Sequence, residues 1–362
     1  LMVGFAIGLP PLWDITTGES RIGVFGLMDQ GSNNSRGVIP APPTAWSRIF
    51  AGWEEPFNAK IGQSIDLPIR SEGNMIKIEI RDDEYYLIEN RSNDVRKGVS
   101  IDSIRYLMSQ TSNTSDYPSY IEILHDSTGI NKDTNGVIVS VPNYDIGLPA
   151  SGLLIWHVDE KIIANSIDDY NINNDIALMG IDLEEADGAQ DIGYPSIFLF
   201  NDPSSGYFGD MWFNGNSQFV LANPDFDGYK PEFGVHTYPS TNANDGSTSY
   251  ISVREISIPG DTMRFTISSS LIPAGYPDST LNIVNVFDID NDGMNEIIGS
   301  NDSIYVLWSD STIAREYFHS LSSEDYFVSC ITNQEYTTIY IIEYFQDTCL
   351  RSVYEYNIQN KH

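Results

Sequence analysis

The sequence predicts a mainly β protein with a minor α part. Three observations carry that prediction. Short runs alternate apolar with polar residues, as in Met75-Ile-Lys-Ile-Glu-Ile80 and Thr262-Met-Arg-Phe-Thr-Ile267. Long loops rich in Asn, Asp, Gly and Ser separate these runs. Toward the C-terminus two segments share a strand–turn–strand rhythm at an offset of about 45 residues, within the period of propeller blades.

Taken in order, residues 1–9 form an apolar helical run that Pro10-Pro11 stops. The chain opens inside that run, which predicts a piece of something longer. Thr44 can cap a helix that carries Trp46, Ile49, Phe50 and Trp53 at helical spacing. From about residue 60 strands take over: 75–80 and 84–89 around an Arg81-Asp-Asp turn, then 136–141, 152–158, 251–256 and 262–267. One longer helix is expected near 99–110. Ile272-Pro-Ala-Gly-Tyr-Pro277 reads as a linker. The expected domains are therefore 1–60, 61–271 and 272–362. The last holds two blade-like segments, and because propellers need about 4–8 blades, two form only an incomplete one.

Composition excludes several functions. The 362 residues carry 19 Lys and Arg against 51 Asp and Glu, a net charge of -32. That balance cannot supply a nucleic-acid groove. No apolar run approaches a membrane span, and two cysteines rule out a disulfide-dense array. Cys330 and Cys349 fall in the last segment, where a bridge and two buried thiols are both open. The excess of carboxylates suits a salty or calcium-bearing milieu.

Part of that charge is concentrated in Asp288-Ile-Asp-Asn-Asp-Gly-Met-Asn-Glu296. Alternate carboxylates at Asp288, Asp290 and Asp292, with Glu296 closing, can converge on one hard cation, and Gly293 permits the sharp turn. The loop resembles the calcium loop of integrin-type (FG-GAP) propeller blades. That resemblance implies a structural calcium and a further ligand in the Met294 carbonyl. The second blade lacks the loop.

The first 270 residues or so carry another resemblance. Gly8-Leu-Pro-Pro-Leu-Trp-Asp14, Gly26-Leu-Met-Asp29, the run from Pro42 to Trp53, Tyr85-Tyr-Leu-Ile-Glu-Asn-Arg91, the run from Leu148 to Glu160 and Leu183-Glu-Glu-Ala-Asp-Gly188 occur in the order of blocks in immune inhibitor A-like secreted metallopeptidases. The resemblance implies a metzincin-like catalytic subdomain remnant, a β-sandwich-like region, and Met28 as the methionine of a Met-turn. It also implies that Glu184, Glu185 and Asp187 help bind a structural calcium; a solvated acidic loop is the other reading.

The family binds zinc through His-Glu-x-x-His-x-x-Gly-x-x-Asp on a helix. Anchored on Gly8, that register puts Leu1 and Phe5 at the histidines, Met2 at the glutamate and Pro11 at the aspartate. No catalytic residue survives. Leu, Phe and Pro offer no donor, and Met offers only a thioether. The remaining His125, His157, His236, His319 and His362 show no paired metal spacing. The expectation is a secreted or cell-surface pseudo-peptidase, stabilised by calcium, that binds an extracellular protein or polysaccharide. The alternative is an active secreted zinc metalloendopeptidase whose metal ligands lie outside this sequence.

Overall fold

The computed structural model describes residues 1–362 except 71–74, 97, 112–128, 196–202, 227–229, 270–280, 292–294, 309–315, 334, 346–349 and 360–362. The expected linker therefore lies outside the described residues. The chain divides into two compact units, Leu1–Ser270 and Leu271–His362.

The first unit opens with helix α1 (Met2–Ala6). It is short because Gly8 turns the chain at φ +90° and two prolines follow. Helix α2 (Ala45–Phe50) starts where the Thr44 hydroxyl accepts the Ser47 N–H at 3.2 Å. Gly52, at φ +70°, ends it. Helix α3 (Ile101–Thr111) is the longer helix expected near 99–110.

The strands of this unit are β1 (Phe57–Asn58), β2 (Ser64–Pro68), β3 (Ile76–Arg81), β4 (Glu84–Arg91), β5 (Asn131–Lys132), β6 (Ile138–Ser140), β7 (Gly152–Asp159), β8 (Ile181–Leu183), β9 (Ile251–Arg254) and β10 (Thr262–Ser269). They form a five-stranded sheet ordered β1-β3-β4-β7-β8, a three-stranded sheet ordered β2-β10-β9, and the small pair β5-β6. Every residue of β4 and β7 is buried. The two-residue period sends Tyr85, Leu87, Leu154, Trp156 and Val158 to one core, with Leu9, Met28 and Trp46. It sends Tyr86, Ile88, Leu153 and Ile155 to a second core, shared with Val253, Met263 and Phe265 of the smaller sheet. The five-stranded sheet is thus covered on both faces.

Burying β4 also buries charges. Glu89 is fully enclosed, where it accepts from Arg48 at 2.9 Å, Arg91 at 3.0 Å and Trp156 Nε1 at 2.9 Å. Arg91 passes on to Asp145 at 2.7 Å. Burial alone would raise the Glu89 carboxyl, but the two guanidinium charges outweigh it and hold the group down at about 2.

His157 on β7 lies between two carboxylates, Nε2 at 2.8 Å from Glu84 and Nδ1 at 3.0 Å from Glu184. Burial opposes its charge, yet the hydrogen bonds and charges of both glutamates raise it to about 9. Because the folded value exceeds the usual 6.5, its stabilisation is complete below about pH 6.5 and is lost as pH rises through about 9. Denaturant midpoints should therefore fall between pH 7 and pH 10, and His157→Gln should flatten that decline. An equally steep decline in the variant would show that other groups cause it.

The second unit contains β11 (Asn282–Phe287), β12 (Glu296–Ser300), β13 (Ser303–Leu307), β14 (Glu316–Ser320), β15 (Asp325–Thr332), β16 (Tyr336–Phe345) and β17 (Leu350–Gln359). These make a four-stranded and a three-stranded sheet, both antiparallel between sequence neighbours. Ile298, Ile304 and Val306 from the first sheet share a core with Val328, Ile339 and Ile341 from the second. His319 on β14 ties them further, at 2.7 Å from Glu343 and 3.0 Å from Tyr356. Cys330 on β15 is a half-buried free thiol that burial pushes up to about 11; Cys349 lies outside the described residues. The protein is mainly β, built from several antiparallel sheets with a minor helical part.

Candidate metal centres

The first centre forms just past β8. Glu185 accepts the Asp191 N–H at 2.8 Å and the Ile192 N–H at 3.0 Å, which folds the loop back on itself. Gly188 makes the turn at φ +73°, where a Cβ would meet Ala222 Cβ at 2.5 Å and the Tyr238 carbonyl at 2.7 Å. Asp187 accepts the Tyr207 hydroxyl at 2.5 Å. Asp210, which ends a one-turn helix at Phe208–Asp210, accepts the Tyr207 N–H at 2.8 Å. One ligand oxygen from each of Glu185, Asp187 and Asp210 lies within 4.8 Å of the others.

All three carboxylates are buried, Asp210 completely. The groups that donate to them are neutral N–H and O–H groups, and Asp210 Oδ1 has no hydrogen-bond partner among the described residues. Burial, opposed by its two N–H donors and reinforced by the charges of Asp182 and Asp187, pushes Glu185 up to about 9. Burial, with the charge of Glu185 behind it, drives Asp210 well above the carboxylate range. A cluster of this kind stays ionised only with a cation at its centre. An all-oxygen donor set with an orphaned buried oxygen fits a hard cation such as calcium.

Glu184 does not join this centre; its carboxylate turns to His157. Neighbouring Asp182 is raised by burial first and the charge of Glu184 second.

The second centre joins Asp288, Asp290 and Glu296, again with one oxygen of each within 4.8 Å of the others. Pairing of Phe287 with Glu296 closes the hairpin between β11 and β12. Glu296 accepts the Ile289 N–H at 2.8 Å, and Asn291 takes the turn at φ +59°. Asp290 and Glu296 are buried and Asp288 is half-buried. Asp292, Gly293 and Met294 lie outside the described residues.

The positions aligned with the zinc motif gather around α1. Met2 is 80% exposed, Phe5 is partly exposed and Pro11 is buried. Leu1 packs against the first core. Met28 is fully buried directly beneath the helix, and a Cβ on Gly4 would lie 2.4 Å from its Sδ. Beside them opens a cavity of about 380 Å³ lined by Phe5, Leu9, Pro11, Trp13, Ile15 and Tyr170. Phe5 and Trp13 meet edge to face at 5.7 Å. Among the described residues, neither of the two possible metal groups includes any of these positions. This donor set does not fit zinc. His125 and His362 lie outside the described residues.

Sequence spacing gave no sign of Asp210. It stands more than twenty residues from Glu185 in a Phe208-Gly-Asp210 segment with no alternation of carboxylates.

The fold and the two centres define a mainly β protein of two units, each with a carboxylate trio that could hold a metal ion. No helix among the described residues is long and apolar enough to cross a membrane. No family model, curated protein or solved structure matches the chain.

Proposed function

We propose that this chain is a calcium-stabilised, non-catalytic extracellular binding protein. In this reading the first unit is a pseudo-peptidase of immune inhibitor A type, with a metzincin-like remnant followed by a β-sandwich-like region. The second unit is a pair of FG-GAP-like blades. Calcium occupies Glu185, Asp187 and Asp210 in the first unit, and the loop from Asp288 to Glu296 in the second. The partner is an extracellular protein or polysaccharide.

One observation carries the proposal. Phe5 and Pro11, aligned with the second histidine and the aspartate of the family's zinc motif, line an apolar cavity instead of a donor cluster. The burial of Met28 against Gly4 of α1 supports this reading. An apolar filling is the stable way to lose a metal, since unliganded polar donors left in a closed pocket would be unsatisfied.

Metal analysis and peptide hydrolysis test this together. After zinc loading and dialysis, the protein should retain far less than one zinc per chain and leave casein and peptide substrates intact. Stoichiometric zinc with chelator-sensitive cleavage would sink the proposal.

A further inference from the structure

The cavity beside α1 has the size of a side-chain pocket, about 380 Å³. Its walls are pre-formed. Asp14 accepts from Thr16 N–H at 2.8 Å, Thr17 N–H at 3.2 Å and the Arg21 guanidinium at 3.0 Å, which stiffens the loop carrying Trp13 and Ile15. Asn174 then pins that loop to the opposite wall: its Oδ1 accepts the Ile15 N–H at 3.1 Å, and its Nδ2 donates to Thr16 at 3.0 Å. Tyr170 is held at φ +59° on that wall, and the residue is 56% exposed. A ring left in water over an apolar slot resembles one half of a binding clamp.

Among the described residues, no charged side chain lines the cavity, but the approach is acidic. Asp168 and Asp169, both exposed, directly precede Tyr170. The whole chain adds a net charge of -32. Apolar walls select a large uncharged side chain, and the surrounding field selects cationic neighbours on the same ligand.

We infer that this cavity binds a basic polypeptide segment by taking one large apolar side chain, Leu or Phe, flanked by Lys or Arg. The inference rests on the reading of the cleft as a non-catalytic binding site and names its ligand class. Tyr170, Trp13 and Ile15 hold the inserted side chain. Asp168 and Asp169 hold the flanking cations.

The test is calorimetric titration of the 362-residue chain with two blocked peptides, Lys-Arg-Phe-Leu-Arg-Lys and its Glu-for-Lys/Arg counterpart. The basic peptide should bind, more weakly as salt rises, and the acidic one should not. Tyr170→Asn removes the ring and keeps a residue that tolerates positive φ; it should weaken binding about tenfold. Ile15→Asp tests the other wall from a position 43% exposed and should act alike. Asp168→Asn with Asp169→Asn should weaken binding a few-fold and flatten the salt dependence. Absence of binding, equal binding of the acidic peptide, or wild-type affinity in both cavity variants would overturn the inference. So would self-association that occupies the cavity and is abolished by Tyr170→Asn. Cleavage of a bound peptide would instead refute the non-catalytic reading and leave the ligand assignment standing.

Discussion

Removal of calcium is expected to lower the melting temperature by roughly 5–10 °C. A cation present at about 100 times its Kd stabilises the folded state by about 2.7 kcal/mol. A unit of this size shifts by about 2–4 °C per kcal/mol. The first unit should respond through Glu185, Asp187 and Asp210, where burial has stripped the carboxylates of water and Asp210 Oδ1 has no donor among the described residues. Asp210→Asn keeps the volume and removes one charge, so it should abolish that unit's response to chelator. It should leave a response from the Asp288 to Glu296 loop, which Asp288→Asn removes in turn. Scanning calorimetry with calcium and with chelator separates the outcomes. Identical melts under both conditions would exclude the calcium assignment at both centres.

The largest single-residue loss of stability is expected at Glu89. This carboxylate lies fully enclosed between Arg48 and Arg91. Glu89→Ala leaves two guanidinium groups without their shared acceptor, and breaking a buried pair this way costs about 3–5 kcal/mol. Glu89→Gln retains an acceptor and should cost less. The pH dependence follows from the same contacts. The folded value of about 2 lies below the ordinary 4.5, so the contribution is complete above about pH 4.5 and is lost as pH falls through about 2. Urea midpoints of both variants, measured at pH 7 and pH 3, test this. A loss below about 1 kcal/mol at pH 7 in Glu89→Ala would show that the arginines find other partners.

Much of the strand content is legible in the sequence. The hairpin of β3 and β4 follows from two alternating runs around Arg81-Asp-Asp, and the Thr44 cap follows from its side chain. The strand at 136–141 is shorter than its pattern suggests, spanning only Ile138–Ser140. Strands β2, β8 and β14 escape sequence reading. Ser64–Pro68 ends in proline, Ile181–Leu183 is three residues long, and Glu316–Ser320 has no regular alternation. Each is held by pairing with a stronger neighbour rather than by its own pattern. The carboxylate spacing at Asp288, Asp290 and Glu296 is legible because all three lie on one short hairpin loop.

The sequence by itself determined the mainly β character and the carboxylate loop between β11 and β12. Both depend on residue type and local spacing, which a linear chain displays directly. Only the tertiary structure decided which carboxylates meet in the first unit. Glu184 and Glu185 are adjacent in sequence, yet one turns to His157 and the other to Asp187 and Asp210. The stub that brings Asp210 back past Tyr207 makes that choice, and no local pattern encodes a contact between segments so far apart.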